Sequence, residues 1–145
     1  MTSPHEEIVE LLSEAEWCEA FPILQSLRHE LEESALLRQR EHFLQQNLTL
    51  FGLRVEQELV AVAGAHLYPH LSRGIDCWVH DLVTKESKRS LGYGKKLMRH
   101  IEGWARAHGC SRICVHTRLG RKDAQRFYEG KLGYPPSALV YYQEF

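Results

Sequence analysis

The run RSLGYGKKL, residues 89–97, sets Gly92 and Gly94 one residue apart among cationic side chains, just ahead of a helical pattern. Such a position can do chemistry. The first turn of a helix leaves backbone N–H groups unpaired, and the macrodipole places partial positive charge there. Glycines let successive N–H groups converge and present no Cβ to an approaching anion. Lys88, Arg89, Lys95 and Lys96 add charge. The run serves either as an anion cradle or as a plain tight turn into a helix. Two nucleotide motifs are excluded. A dinucleotide fingerprint would need its third glycine at Leu97. A Walker loop needs four residues between its glycines, then Lys and Ser/Thr, whereas Lys96 follows Lys95 here.

His108, Cys110, Cys114 and His116 are residue types that bind metals. Their spacing, Cys-x-x-x-Cys across a helix end and a strand, lacks the pattern of zinc modules, so no metal is expected. Cys114 has only a same-strand His116 to support a nucleophilic role, and a buried thiol is the expectation. The four cysteines are scattered and should be free thiols. The basic tract 118–122 is short and loop-like.

These groups need elements to position them. At 145 residues with a net charge of −1, the chain fits one domain, 1–145, with no reason to bind nucleic acid or an anionic membrane. The start, MTSPHEEIVE, lacks the regions of a signal peptide, and no apolar run is long enough to span a membrane. A cytoplasmic protein is expected. Residues 6–12 allow a short strand or a helix start. Trp17, Phe21, Leu24, Leu27 and Leu31 recur at helical spacing over about 14–31, with Pro22 threatening to split or kink that element. A second helix is predicted over 34–46, with Leu37, His42, Phe43 and Leu44 toward its buried side. LTLFGLRV and ELVAVAGAHLY, joined by Glu56-Gln57, predict a hairpin, and IDCWVHDLVT a third strand. Alternation there puts Asp76, Trp78 and His80 on one side and Cys77, Val79 and Asp81 on the other. A helix over 94–108 follows, with Leu97, Ile101, Trp104, Ala105 and His108 on one stripe, Glu102 mostly off it, and Gly109 as cap. A strand at 111–118, a helix at 123–132 and a closing strand in SALVYYQEF complete a mixed α/β or α+β order.

R-x-x-G-x-G after a strand ending DLVT resembles the acetyl-CoA loop of the GNAT superfamily of N-acetyltransferases. The resemblance continues through HGC (108–110), RICVHT and DAQRFYEGKLGY (123–134), covering about 75–134. It implies a GNAT-like mixed, mostly antiparallel sheet with a splayed strand pair, flanked by about four helices. It also implies an acetyl-CoA-dependent transfer of an acetyl group to an amine acceptor, small molecule or peptide, by direct attack in a ternary complex. A non-catalytic acyl-CoA-binding module is the alternative, and a homodimer is an assembly open to it. Leu82, Val83 and Thr84 would present main-chain groups to pantetheine and the thioester. The pyrophosphate would rest on the N–H groups of Arg89, Ser90, Leu91, Gly92, Tyr93 and Gly94, with Lys95 close by.

On the same resemblance, Tyr128 matches the tyrosine near the CoA sulfur. A phenol is a weaker acid than a thiol, so stabilisation of the leaving thiolate or modest acid help is the role expected. His80 lies where relatives place a base, Asp76 and His116 being weaker options, and Trp78 stands where some relatives carry Glu. Arg121 replaces a frequent Asn and could reach phosphate. One residue more than in many members separates Tyr128 from Gly133. The acceptor pocket should be built from the N-terminal helices and the 66–74 loop, with Glu30, Glu32, Glu33, His66, Tyr68 and His70, and Tyr141 and Tyr142, as candidate lining.

Overall fold

A computed structural model describes residues 2–145. The chain falls into two compact units, one ending at Cys114 and the other spanning Val115–Phe145.

The first unit is a five-stranded sheet in the order β1-β2-β3-β4-β5, which is also sequence order. β1 (Glu6–Glu10), β2 (Thr49–Val55), β3 (Glu58–Pro69) and β4 (Ile75–Thr84) pair antiparallel. β5 (Cys110–Val115) joins β4 as a parallel pair, reached through the crossover helix α3 (Tyr93–Ala107) that a parallel connection needs. The β2–β3 hairpin turns at Glu56 and Gln57, with φ of 48° and 72°. Both values are left-handed, as a two-residue turn matched to strand twist requires.

Helices α1 (Glu14–Leu27) and α2 (Glu33–Gln45) cover one face of this sheet and α3 the other. Strand alternation sorts the core between them. Leu50 packs in the cluster with Trp17, Leu24 and Leu36, while its neighbour Phe51 meets the ring of Trp104 on α3 edge-on at 5.2 Å. A Cβ on Gly52 would meet Leu59 Cδ1 at 2.7 Å, so a larger residue there would have to displace that side chain. α1 opens with a capping box: the Glu16 N–H donates to Ser13 Oγ at 3.1 Å and the Ser13 N–H to Glu16 Oε1 at 3.0 Å.

Several expectations change. α1 is one helix through Pro22; the burial of Ala20, Ile23 and Leu24 around the proline offsets its missing hydrogen bond. In α2 the fully buried residue is Leu36, whereas His42 and Leu44 are exposed. On α3, Glu102 is buried and takes a 2.7 Å hydrogen bond from Arg99 Nη1, one turn away. His108 lies beyond the last helical turn and is exposed, and Gly109 follows it with φ +79°. β5 stops at Val115, short of the expected Arg118.

The second unit holds α4 (Lys122–Arg126), which continues into a single π-helical turn, Phe127–Lys131, closed by the Leu132 N–H donating to Phe127 O at 3.1 Å. A π turn takes up one more residue than an α turn. This turn overlaps the stretch from Tyr128 to Gly133 where the resemblance counts one residue more. The closing segment 137–145 forms no strand. Leu139, Tyr141, Tyr142 and Phe145 are exposed, because β-propensity yields a strand only where a ladder partner satisfies the backbone.

Candidate functional site

The glycine run forms the link from β4 to α3. After Thr84 the chain makes one 3₁₀ turn, Glu86–Lys88, and Arg89 Nε donates back to Thr84 O at 3.2 Å. Arg89 therefore shapes the loop from its root. Ser90 and Gly92 both take left-handed backbone, φ 64° and 86°, and Gly92 is the N-cap of α3. No side chain caps this helix start, and a Cβ on Gly92 would meet nothing within 4 Å. The first-turn N–H groups of Tyr93, Gly94 and Lys95 thus lack an intrahelical acceptor and face open space at the residue that leads them. Tyr93 is buried and Leu91 exposed.

The lysines around the loop divide into two kinds. Lys96 Nζ is held by both carboxylate oxygens of Glu6 at 2.7 Å, and Lys85 by Glu58 at 2.6 Å. Lys88 and Lys95 make no ion pair among the described residues, which leaves their charge to an incoming anion. Sequence could not separate Lys95 from Lys96, because Glu6 is ninety positions away in the chain.

β4 carries an irregularity just upstream. Its register with β3 passes from Gly64↔His80 to Val62↔Val83, so Asp81 and Leu82 together oppose the single residue Ala63. This is a β-bulge, and Asp81 sits in it with φ 50°. The bulge breaks the alternation expected for the strand: Val83 returns to the α1/α2 face three residues after His80. It also puts Asp81 beside His80 on one cavity, where unbroken alternation predicts opposite sides.

That cavity, about 560 Å³, lies between β4 and the α1/α2 layer. Trp17 and Leu24 of α1 and Leu36 and Phe43 of α2 build its apolar wall. The Trp17 and Phe43 rings meet edge-on at 5.1 Å, and the Trp17 indole donates to Leu11 O at 2.9 Å, so the wall is held in place. Gly64 adds to the space: a Cβ there would press the Phe43 ring at 3.4 Å. The polar side holds His80 and Asp81, with Arg28 donating to Asp81 Oδ1 from Nη2 at 2.5 Å and from Nε at 3.2 Å. His80 is half-buried and lies tilted against His66, ring centroids 6.2 Å apart.

None of Glu30, Glu32, Glu33, His66, Tyr68 or His70 lines this cavity, and the three glutamates are exposed. Tyr141 and Tyr142 belong to the second unit, where Tyr142 Oη lies 3.4 Å from His116 Nδ1. Sequence had marked Trp17, Leu24 and Phe43 only as the buried side of helices. Core and cavity wall share one helical periodicity, so spacing cannot tell them apart.

Asp76 is removed as a candidate base. It is wholly buried, with His70 Nε2 at 2.5 Å and Arg112 Nε at 2.8 Å, and its carboxyl is lowered to about 2, first by the Arg112 hydrogen bond. A carboxylate held so firmly ionised is a clasp joining β4, β5 and the 69–75 turn. Cys114 Sγ lies 3.7 Å from the same carboxylate, and burial raises its thiol, as it raises Cys77 to about 12. Neither is an activated nucleophile. All four cysteines are unbonded. Among the described residues no three His, Cys, Asp or Glu side chains gather to hold a metal, and no helix is long and apolar enough to cross a membrane.

In the second unit, Tyr128 stands on the π turn, half-buried, with its ring against Phe127 at 5.3 Å. Its carbonyl accepts the Tyr134 N–H at 2.8 Å. Arg121 is the N-cap residue of α4 and reaches Asp123 at 3.5 Å.

An uncapped glycine-led helix start follows a bulged strand, in a meander completed by a crossover helix. Residues 9–134 match the family model described as acetyltransferase (GNAT) family, and the chain belongs to that family. It is 37% identical over 133 residues, 91% of this chain and 94% of the relative, to the uncharacterized N-acetyltransferase YhdJ of Bacillus subtilis strain 168. Among solved structures it is similar to the aminoglycoside N-acetyltransferase AAC(6′)-Iy in complex with CoA, with TM-score 0.86, 17% identity, and 99% of this chain and 97% of that one covered. It is also similar to an acetyltransferase of Trypanosoma brucei, with TM-score 0.79, 20% identity, and 97% and 100% covered. The two structural likenesses speak for the fold.

Proposed function

We propose that this N-acetyltransferase binds acetyl-CoA on the loop 89–95 and acetylates an amine held in the α1/α2 cavity. One observation carries the reading: β4 joins both places, His80 and Asp81 lining the cavity and Leu82–Thr84 running directly into the loop. The pyrophosphate suits the uncapped N–H groups behind Gly92, with Lys88 and Lys95 supplying counter-charge. Arg121 is a further candidate for phosphate. The family match spans residues of both units, which supports their acting as one acetyltransferase domain.

In the reaction, the amine lone pair forms a C–N bond to the thioester carbonyl carbon. The C–S bond breaks, CoA leaves as thiolate and takes up a proton, and the new N-acetyl nitrogen gives up one. His80, which lines the cavity, would receive the amine proton, an imidazole being suited to transfer near neutral pH. Tyr128 would steady the departing thiolate by hydrogen bonding. The attack is direct, in a ternary complex, with no acetylated residue of the protein. No observation favours a non-catalytic acyl-CoA-binding module.

Thermal melting with acetyl-CoA, CoA and NAD tests the donor site. Acetyl-CoA and CoA should raise Tm and NAD should not; a rise with NAD alone, or with none, would sink the reading.

A further inference from the structure

We infer that the acceptor is a primary amine with a single positive charge on an apolar, aliphatic or aromatic body, and that polycationic amines are excluded. This rests on the acetyl-transfer reading of the same cavity and adds the class of molecule that enters it.

Three observations carry it. The cavity, about 560 Å³, is of the size that encloses a small molecule. Its wall is aliphatic and aromatic, with Leu31 and Leu50 continuing the surface made by Trp17 and Phe43, which favours a body that gains by leaving water. Its carboxylate is already neutralised. Asp81 is the one acidic residue in the lining, and Arg28 pairs with it at 2.5 Å. The fixed charges therefore cancel. A second or third ammonium would be desolvated against leucine and aromatic rings with no carboxylate to meet it, a heavy penalty. A lone amine escapes that penalty by entering neutral. An apolar surround disfavours its charged form, and the neutral form is the one that attacks a thioester.

The exposed Glu30, Glu32 and Glu33 do not alter this balance. They stand outside the cavity lining and so could attract cations to the surface without solvating them inside.

The test is calorimetric binding of phenethylamine, hexylamine, spermidine and neamine to the CoA-saturated protein, with thiol release from acetyl-CoA followed in parallel. Phenethylamine and hexylamine should bind at least about tenfold tighter than either polyamine, the gain expected for burying a hydrocarbon body. Tighter binding of spermidine or neamine, or no binding of the two monoamines, overturns the inference. Thiol release judges the other claim: monoamines that bind with this preference yet release no thiol leave the cavity assignment standing and defeat acetyl transfer. Leu31→Glu supplies a second arm, because Leu31 is only half-buried and the change places an unpaired carboxylate on the wall. The preference should then narrow or reverse in favour of spermidine, with the acetyl-CoA-induced rise in Tm retained. An unchanged preference in Leu31→Glu counts against the proposal.

Discussion

Arg28, at the end of α1, and Asp81, in the bulge of β4, meet at 2.5 Å, and this contact fixes the charge of the cavity. Both side chains are well exposed, so the pair adds little to stability, within about 1 kcal/mol. On the proposed acceptor reading, its effect is on recognition. Arg28→Ala should leave the urea midpoint nearly unchanged while releasing a free carboxylate beside His80. The expected result is a KM for a diamine that falls several-fold, with no matching fall for an apolar monoamine. Equal changes for both would show that the pair does not control selectivity.

Two glycines of α3 should respond in opposite directions. Gly92→Ala forces a side chain into φ +86° and should cost about 1 kcal/mol while weakening acetyl-CoA binding, since the loop N–H groups lose their aim. Gly103→Ala lies inside the helix with open space around it and should gain about 0.5–1 kcal/mol with donor affinity unchanged. Chemical denaturation and a CoA titration separate the two outcomes.

The two residues proposed to handle protons, Tyr128 and His80, should affect kcat and not donor binding. Tyr128→Phe and His80→Gln are each expected to lower kcat about 100-fold, the low end for general acid–base groups, with the acetyl-CoA dissociation constant little changed. An unchanged kcat removes that residue from the chemistry.

The Asp76 clasp makes a pH prediction. Its folded carboxyl, near 2, lies below the ordinary 3.8, so its contribution is complete above about pH 4 and is lost as pH falls toward 2. Asp76→Asn should lose about 2–3 kcal/mol at neutral pH, because the donors of Arg112 and His70 lose their charged partner. The gap between wild type and variant should then close between pH 4 and 2. Melting curves across that range check both statements.

Gln57 offers a gain. It holds φ 72° in the hairpin turn, a conformation natural to glycine. Gln57→Gly should stabilise the fold by about 0.5–1 kcal/mol in equilibrium unfolding and leave activity unchanged.

Local features were legible because they are local. Gly109 follows the end of α3, and Glu56-Gln57 turns the β2–β3 hairpin, each through chemistry within a few residues. The strand, glycine turn and helix around Gly92 belong to the same kind, whereas the π turn at Phe127–Lys131 was not legible. The segment 137–145 shows the limit. Its residues favour a strand, yet a strand needs a ladder partner, and composition does not supply one.

By itself, then, the sequence determined the family, most of the order of elements and the strand–glycine turn–helix on which the donor proposal rests, since short-range spacing encodes helix ends, glycine turns and strand periods. Tertiary structure alone decided the cavity between β4 and the two N-terminal helices. The bulge that turns Asp81 toward His80, the reach of Arg28 across 53 positions to neutralise it, and the use of Trp17 and Phe43 as cavity wall are pairings between distant residues. No local pattern contains them, because their energies exist only once the helices lie on the sheet.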